Sequence, residues 1–111
     1  MRTDLDAAEK SFDALGNPVR RQILRILSRQ PSAVGEIASG LPVSRPAVSR
    51  HLRILEKAAL VTSERKGNRS IFRLEQEGLR GAQELLADFW EGSLARFKMA
   101  AENPPKKRKT R

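Results

Sequence analysis

The 111-residue chain contains no cysteine and a single histidine. Without cysteine it forms no disulfide, no thiolate metal site and no cysteine-based nucleophile. Cysteine usage therefore gives no information about the redox state of its compartment. A zinc ion takes about four nitrogen, sulfur or carboxylate ligands, and one histidine among scattered acidic residues does not supply them. We therefore expect no metal ion and no other cofactor.

Long apolar runs are also missing from the chain. No stretch approaches the roughly 20 residues that span a bilayer, and the N-terminal segment MRTDLDAAEKSF is too acidic and too polar for a secretion signal. The length predicts about one domain, with little room for a catalytic cleft between lobes. These features predict a cytoplasmic protein that has no membrane partner.

Acidic residues are in the minority, 13 against 22 lysines and arginines, and the charge is unevenly distributed. Residues 45–74 contain eight basic and two acidic residues, and residues 106–111 contain five basic residues. Residues 1–16 and 75–105 are net acidic. Such segregation indicates one dedicated surface for a polyanion, because a protein that is merely kept soluble by charge mixes its signs.

Apolar residues recur at helical spacing in the first 40 residues. The pattern predicts a helix over about residues 4–15 and a second helix that is capped by Asn17, begins at Pro18 and ends before Pro31. A third, short helix is predicted to be capped by Ser32 and broken at Gly40. The second helix carries four arginines, which we interpret mainly as a solvated face.

The segment SRPAVSRHLRILEK predicts a fourth helix, capped by Ser44 and with Pro46 in its first turn. Val48, Leu52 and Leu55 recur at i, i+4 and i+7, so they should hold the helix to the core. The opposite side carries Arg45, Ser49, Arg50 and Arg53. Two helices joined by a short break, the second basic on its outer face, have the layout of a helix-turn-helix that enters a DNA major groove.

The next segment, LVTSERKGNRSIFRL, is typical of a β-hairpin. Two strand-like runs flank Gly67 and Asn68, which tolerate the positive φ of a tight turn. The hairpin tip carries the cations Arg65, Lys66 and Arg69. A basic hairpin beside a basic helix makes a winged helix-turn-helix, so the predicted fold class is mainly α with a small β-hairpin (α+β).

Residues 76–100 predict a long final helix with an apolar stripe that the helix cannot bury alone. We expect it to pair with the first helix and with its copy in a second subunit. The predicted dimer contacts are Leu5, Phe12, Leu79, Leu86, Phe89, Trp90, Leu94 and Phe97. Residues 1–102 would form this domain.

The C-terminal segment ENPPKKRKTR predicts a disordered basic tail over residues 103–111, because prolines end the helix and clustered cations repel one another. Three uses remain open: a nonspecific phosphate-binding arm, which we prefer, a run resembling a nuclear-import signal, and a solubilising end with no binding role.

The run SRPAVSRHLRILEKAALV, followed by ERKGNRSIFRL and preceded by FDALGNPVRRQILRIL, resembles the ArsR/SmtB family of bacterial dimeric winged-helix transcriptional repressors. The resemblance covers roughly residues 10–75. It implies that residues 44–57 read the major groove, that residues 61–74 reach the adjacent groove or backbone, and that the terminal helices form the dimer. The DNA-binding positions carried over are Ser44, Arg45, Ser49, Arg50, His51, Arg65, Lys66 and Arg69. The neighbouring Pro46, Arg53 and Asn68 complete the predicted set.

The chain also departs from this family's pattern. Metal-sensing members have a cysteine motif where this chain reads AVGEIASGL, and others use histidines in the last helix, whereas no histidine follows His51 here. The chain resembles the cysteine-free branch, and its inducing signal is unknown. The family usually has glycine where Ala59 stands, so the turn after the fourth helix is expected to differ slightly.

The predicted function is that of a homodimeric repressor that binds an imperfect palindrome in duplex DNA, with Arg45 and Arg50 reading guanine edges. His51 is either a DNA contact or a residue satisfied within the helix region. Ser49 is near His51, but helix neighbours point in different directions and no orienting group is visible, so we predict no enzyme. The alternatives are a nucleoid-type protein that binds DNA without sequence preference and an adaptor that uses its terminal helix.

Overall fold

The computed structural model describes residues 2–102, with side chains from residue 5 onward. The predicted tail, residues 103–111, lies outside the described residues. Within the described range the elements are, in chain order, α1 (Arg2–Ala14), α2 (Pro18–Arg29), β1 (Ser32–Ala33), α3 (Val34–Ser39), α4 (Arg45–Lys57), β2 (Val61–Lys66), β3 (Arg69–Leu74) and α5 (Gln76–Glu102). All four predicted helices before the hairpin are present, as are the hairpin and the long final helix.

Two of the predicted helix caps are confirmed. The side-chain oxygen of Asn17 accepts hydrogen bonds from the backbone N–H groups of Val19 and Arg20, at 2.9 and 3.1 Å. The hydroxyl of Ser44 accepts one from the backbone N–H of Ala47 at 3.2 Å. Each cap satisfies donors that the first turn of a helix leaves without an intrahelical partner.

The prediction that Ser32 caps α3 is wrong. Ser32 is buried in β1, opposite Phe72 of β3, and the N-cap residue is Ala33. The backbone N–H of Ala33 is instead satisfied by the Glu36 carboxylate at 2.8 Å. Capping rules consider only neighbours in sequence, whereas β1 exists because a distant strand supplies its hydrogen-bond partners.

The three strands form an antiparallel sheet in the order β1-β3-β2. The predicted hairpin pairs Val61 with Leu74 and Lys66 with Arg69. Gly67, the first residue of the two-residue loop, has φ = 65°, which is the pattern of a type II′ turn. The third strand was not predicted, because two residues are too short to show an alternating pattern.

The core lies behind α4 and joins it to α2 and α3. Val48, Leu52 and Leu55 are fully buried, as their spacing predicts. Their packing partners in the core cluster include Ile23, Leu24, Leu27, Ile37, Leu60 and Val61. Since burying each large aliphatic side chain contributes about 1.5–3 kcal/mol, this cluster fixes which side of α4 faces outward.

The end of α4 is closed by a Schellman motif, in which Ala59 has φ = 59°. Leu60 donates its N–H to the carbonyl of Leu55 at 2.9 Å, and Ala59 donates to Glu56 at 3.0 Å. The carbonyl of Ala59 in turn accepts the N–H of Gly78 at 2.8 Å. A Cβ on Gly78 would collide with that carbonyl oxygen, so glycine is required where α5 starts against the end of α4.

The predicted pairing of α5 with α1 is confirmed. The rings of Phe12 and Phe89 meet edge to face with centroids 6.4 Å apart. Ala82 and Leu85 of α5 are buried; Leu85 is absent from the predicted stripe. Leu79, predicted to be a dimer contact, packs against the core of its own chain.

A large apolar surface remains exposed on this helix pair. Among the described residues its members are Leu5, Phe12, Leu86, Phe89, Trp90, Leu94, Phe97 and Met99. We call these eight residues the apolar stripe. Seven of the eight predicted dimer residues are in the apolar stripe, and the exception is Leu79.

Candidate nucleic-acid interface

The outer face of α4 is built from the residues that the sequence predicts. Arg45, Pro46, Arg50 and Arg53 are exposed, and Ser49 is half-buried. The buried Val48, Leu52 and Leu55 lie on the opposite side of the same helix. A basic helix held to the core along one side presents its cations to whatever lies outside.

The start of α4 lies close to α3. A Cβ built on Gly35 of α3 would lie 2.8 Å from a guanidinium nitrogen of Arg45. Glycine therefore allows the Arg45 side chain to lie directly on the α3 backbone. This contact directs Arg45 toward the side of the molecule where the hairpin lies.

The hairpin of β2 and β3, which we call the wing, carries Arg65, Lys66, Asn68 and Arg69, all of them exposed. Two ion pairs involve this hairpin. Arg73 pairs with Glu64 across the two strands at 3.3 Å, and Arg69 pairs with Glu36 of α3 at 3.4 Å. Both pairs are solvent-exposed, and pairs of this kind contribute at most about 1 kcal/mol.

The start of α4 and the wing share one hollow of about 500 Å³. Its polar lining consists of Arg45 from α4, Arg65, Asn68, Arg69 and Ser70 from the wing, and Glu36 from α3. We call it the cationic hollow. The single acid in this lining, Glu36, has its pKa lowered chiefly by the hydrogen bond from the Ala33 N–H. Desolvation opposes this effect, and the hydrogen bond and the charge of Arg69 lower the pKa further. Glu36 is therefore ionised near neutral pH.

His51 lies half-buried on α4 beside α2. Its Nδ1 is 3.3 Å from a guanidinium nitrogen of Arg20. Burial lowers the pKa of His51 below its ordinary value, and the positive charges of Arg20 and Arg50 lower it further. The imidazole is therefore neutral near pH 7.

Arg20 does not belong to a solvated face, contrary to the interpretation of the α2 arginines. It is half-buried, and its Nε donates to the carbonyl oxygen of Ala14 at 2.8 Å. No local sequence signal reveals this role, because its partners belong to two other helices. Glu36 was also missed, although its position three residues after the N-cap Ala33 has the spacing of a capping box.

Among the side chains that the structure describes, no three from histidine, cysteine or acidic residues are grouped as ligands of a metal ion would be. None of the helices described combines the length and hydrophobicity of a bilayer-spanning segment. A second hollow, of about 470 Å³, lies between α1, the end of α4 and the start of α5, and its lining carries charges of both signs.

Comparison with known proteins agrees with this geometry. A family model described as a helix-turn-helix domain matches residues 15–64. The chain is 40% identical over 89 residues to the HTH-type transcriptional regulator Rv2034 of Mycobacterium tuberculosis, covering 80% of this chain and 83% of that protein. The crystal structure of an ArsR-like transcriptional regulator from Rhodococcus sp. RHA1 is 31% identical, with a TM-score of 0.68 over 86% of this chain and 93% of that one.

The chain belongs to the ArsR family of winged helix-turn-helix transcriptional regulators.

A further relative of this ArsR-family chain is named as a repressor. It is the HTH-type transcriptional repressor SmtB of Mycobacterium tuberculosis, which is 41% identical over 78 residues, or 70% of this chain and 58% of that protein. The family assignment confirms the predicted fold and the general prediction of a DNA-binding transcriptional regulator. The roles of individual side chains and the subunit contacts stay predictions.

Proposed function

We propose that this ArsR-family protein is a homodimeric transcriptional repressor that binds an imperfect palindrome in promoter DNA. Each subunit inserts α4 into a major groove and lays its wing on the adjacent groove or backbone. Occupancy of the promoter excludes polymerase. The protein acts in the cytoplasm, where promoter DNA lies, and has no catalytic role.

One observation carries the proposal: the start of α4 and the tip of the wing line the same cationic hollow. The two elements reach it from different parts of the chain, and together they place Arg45, Arg65 and Arg69 at one concave surface. A duplex carries one negative charge per about 1.7 Å of axis. Clustered cations match that negative charge, and the major groove is wide enough to admit an exposed basic helix such as α4.

The predicted DNA contacts divide by chemistry. Arg50 and Arg45 on α4 have the planar forked donors that bind the guanine edge, where a good bidentate pair discriminates by about 1–3 kcal/mol. Arg65, Lys66, Asn68 and Arg69 on the wing supply phosphate contacts. Ser44, Pro46, Ser49, His51 and Arg53 complete the set on α4. The positive end of the α4 dipole adds an attraction for phosphate that does not depend on side chains.

The homodimer is supported by the apolar stripe. Trp90 is 62% exposed and Phe97 is 72% exposed in the single chain. An apolar surface of this extent on a monomer marks an interaction site. A second copy of the same helix pair, related by a two-fold axis, covers it with identical residues, and two-fold symmetry matches a palindromic site.

The first experiment selects preferred duplexes from a random pool and measures binding by fluorescence anisotropy over a salt series. We expect the selected duplex to bind about 10³-fold or more tightly than random DNA of equal length. Arg50→Ala should weaken binding to the selected duplex by about 1–3 kcal/mol and relax the preference at one base pair. Arg80→Ala, which removes the same charge from α5 near the second hollow, is the matched control and should change affinity little.

Two outcomes contradict the proposal. Equal binding to selected and random duplexes, with a steep loss of affinity as salt rises, would instead indicate a nucleoid-type protein that binds any DNA. No binding to any duplex at physiological salt would favour an adaptor that uses the apolar stripe to bind another protein.

A further inference from the structure

Arg20 lies in the first turn of α2 and reaches two other helices. Its Nε donates to the carbonyl oxygen of Ala14 at the end of α1, at 2.8 Å, and its Nη1 lies 3.3 Å from Nδ1 of His51 on α4. The backbone N–H of Arg20 is itself held by the Asn17 side chain at 3.1 Å. Because the guanidinium is a rigid planar fork, these contacts fix it between α1 and the DNA-facing helix.

The chemistry of this contact determines where the proton of the imidazole lies. A guanidinium has donors only and stays protonated in proteins, so Nδ1 of His51 must be the acceptor. A neutral imidazole whose Nδ1 accepts carries its hydrogen on Nε2. The charged groups that face the ring are Arg20 from α2 and Arg50 from its own helix, and both oppose a second proton.

The Nε2–H of His51 is at least partly accessible to solvent. No described residue makes a hydrogen bond to Nε2, and among the described residues every buried polar side-chain atom has a partner. It follows that Nε2 is not buried. The ring therefore keeps an uncharged hydrogen-bond donor at least partly accessible to solvent on α4, next in sequence to the exposed Arg50.

We propose that Arg20 is a positioning residue for DNA binding. It holds His51 in the Nε2–H tautomer, and His51 donates that hydrogen to an oxygen or nitrogen acceptor of the DNA. The inference rests on the proposed function, because the acceptor exists only when α4 lies on a duplex. Arg20 acts through the ring of His51 and needs no DNA contact of its own.

The tautomer is measured first, in the full chain without DNA. Since His51 is the only histidine, the imidazole ¹⁵N NMR signals belong to one residue. We expect the Nε2–H tautomer in the wild type, with a pKa below the ordinary value. Arg20→Met should give a mixture of tautomers and raise the pKa toward that ordinary value, and Arg20→Lys, a milder change, should give a smaller shift in the same direction.

Arg21→Met is the matched control for the tautomer measurement. Arg21 is the neighbouring arginine of α2, and its guanidinium also donates to a backbone carbonyl, that of Leu15, at 2.8 Å. Its replacement removes the same charge and a similar contact without touching His51. The tautomer and the pKa of His51 should stay as in the wild type.

The second measurement is affinity for the selected duplex at constant salt. Arg20→Met should weaken binding about three- to tenfold relative to Arg21→Met, the loss expected for one hydrogen bond. His51→Gln keeps an N–H near the position of Nε2 whatever residue 20 is, so in this background the affinity for the duplex should no longer depend on Arg20. Adding Arg20→Met to His51→Gln should then lower the affinity for the duplex little more than Arg21→Met lowers it in the wild type.

His51→Ala distinguishes the two sources of the acceptor. A uniform loss of affinity on all duplexes indicates a phosphate oxygen, whereas relaxed preference at one base pair indicates a base edge. Either result supports donation from Nε2.

Three results overturn the inference. The first is an Nδ1–H tautomer or an imidazolium in the wild type at pH 7; this test needs only the wild type, so it applies even if neither Arg20 variant folds. The second is an unchanged tautomer in the folded Arg20 variants, and the third is an equal loss of affinity from Arg20→Met in the wild-type and His51→Gln backgrounds. If the wild type binds no duplex, both the proposed function and the proposed DNA contact of His51 fail. The tautomer measurement, made without DNA, still tests whether Arg20 holds the ring of His51.

Discussion

Ala59 has φ = 59°, a left-handed conformation that costs a residue with a Cβ about 1–2 kcal/mol. It follows the C-cap residue Ala58, and the Schellman hydrogen bonds of Leu60 and Ala59 close around it. The resemblance to the family implies that glycine is usual at this position. The backbone at this turn keeps the left-handed conformation that glycine adopts readily. The methyl group of Ala59 makes this conformation less favourable.

We predict that Ala59→Gly stabilises the protein by about 0.5–1 kcal/mol, because relief of the left-handed strain exceeds the extra backbone freedom of glycine when unfolded. Urea denaturation at fixed protein concentration measures the change. The adjacent Ala58 is the control: it is buried and has φ = −88°, so Ala58→Gly should destabilise. A loss of stability in Ala59→Gly as well would contradict the strain argument.

Among the elements, the wing and α3 are linked by an exposed ion pair. Arg69 lies 3.4 Å from Glu36, whose carboxylate also accepts the N–H of Ala33 at 2.8 Å. Glu36 thus caps α3 and at the same time places a negative charge inside the cationic hollow. In the proposed complex with DNA, a phosphate has to compete with Glu36 for Arg69, so we expect this carboxylate to limit the affinity.

We predict that Glu36→Gln raises DNA affinity, because Arg69 then becomes available to a phosphate. The log–log salt dependence should steepen by about 0.9, the value for one further phosphate contact on duplex DNA. The amide oxygen of glutamine can still accept the Ala33 N–H, so α3 should keep its cap. Fluorescence anisotropy on the selected duplex over a salt series measures both quantities.

Glu64→Gln provides the control for this prediction. Glu64 pairs with Arg73 at 3.3 Å on the same wing, and its side chain is as exposed as that of Glu36, at 57%. Neither Glu64 nor Arg73 lines the cationic hollow. Equal gains in affinity from the two variants would mean that overall charge, and not competition for Arg69, sets the affinity.

On the scale of the whole molecule, the apolar stripe joins the two ends of the described chain into one candidate surface. It lies on α1 and α5, and its aromatic residues Phe89, Trp90 and Phe97 are more than half exposed. The same helix pair contacts α4, since the Ser11 hydroxyl donates to the carbonyl of Ala58 at 2.8 Å. Any subunit contact through the stripe therefore sets the position of each DNA-facing helix relative to its copy.

We predict that Phe97→Glu weakens dimerisation by at least about 100-fold, because a dimer buries two copies of a side chain worth about 1.5–3 kcal/mol each. Sedimentation velocity over a concentration series measures the equilibrium. Phe97→Leu keeps the site apolar and should remain largely dimeric. Since Phe97 is 72% exposed in the single chain, a variant that stays dimeric would show that the stripe is not the dimer surface.

Much of the fold follows from short-range patterns. The apolar periodicity of α4 predicts its buried side, and the turn residues predict the hairpin. The positions of the exposed cations on these two elements follow from the same patterns, because a residue's face is set by 3.6 residues per helical turn and two per strand period. Ser44 and Asn17 act within three residues of themselves, which explains why their caps are predictable.

Other features depend on contacts that local patterns do not contain. Ser32 was expected to cap a helix, but β3 pairs with it from 40 positions along the chain, opposite Phe72. Leu79 was assigned to a dimer surface, and it also packs, partly buried, against the core of its own chain. Periodicity identifies an apolar side chain on a face, but it does not identify the partner that buries it.

The sequence by itself determined the helix order, the hairpin, the buried side of α4 and the basic character of its outer side, because periodicity, capping and turn chemistry act over a few residues. Only the tertiary structure decided which polar groups engage one another: Arg69 with Glu36, and Arg20 with His51 across 31 positions of chain. The physical reason is that long-range pairing depends on how the helices pack around the core. Whether a given arginine faces solvent, a carboxylate or an imidazole is settled only once that packing brings distant residues together.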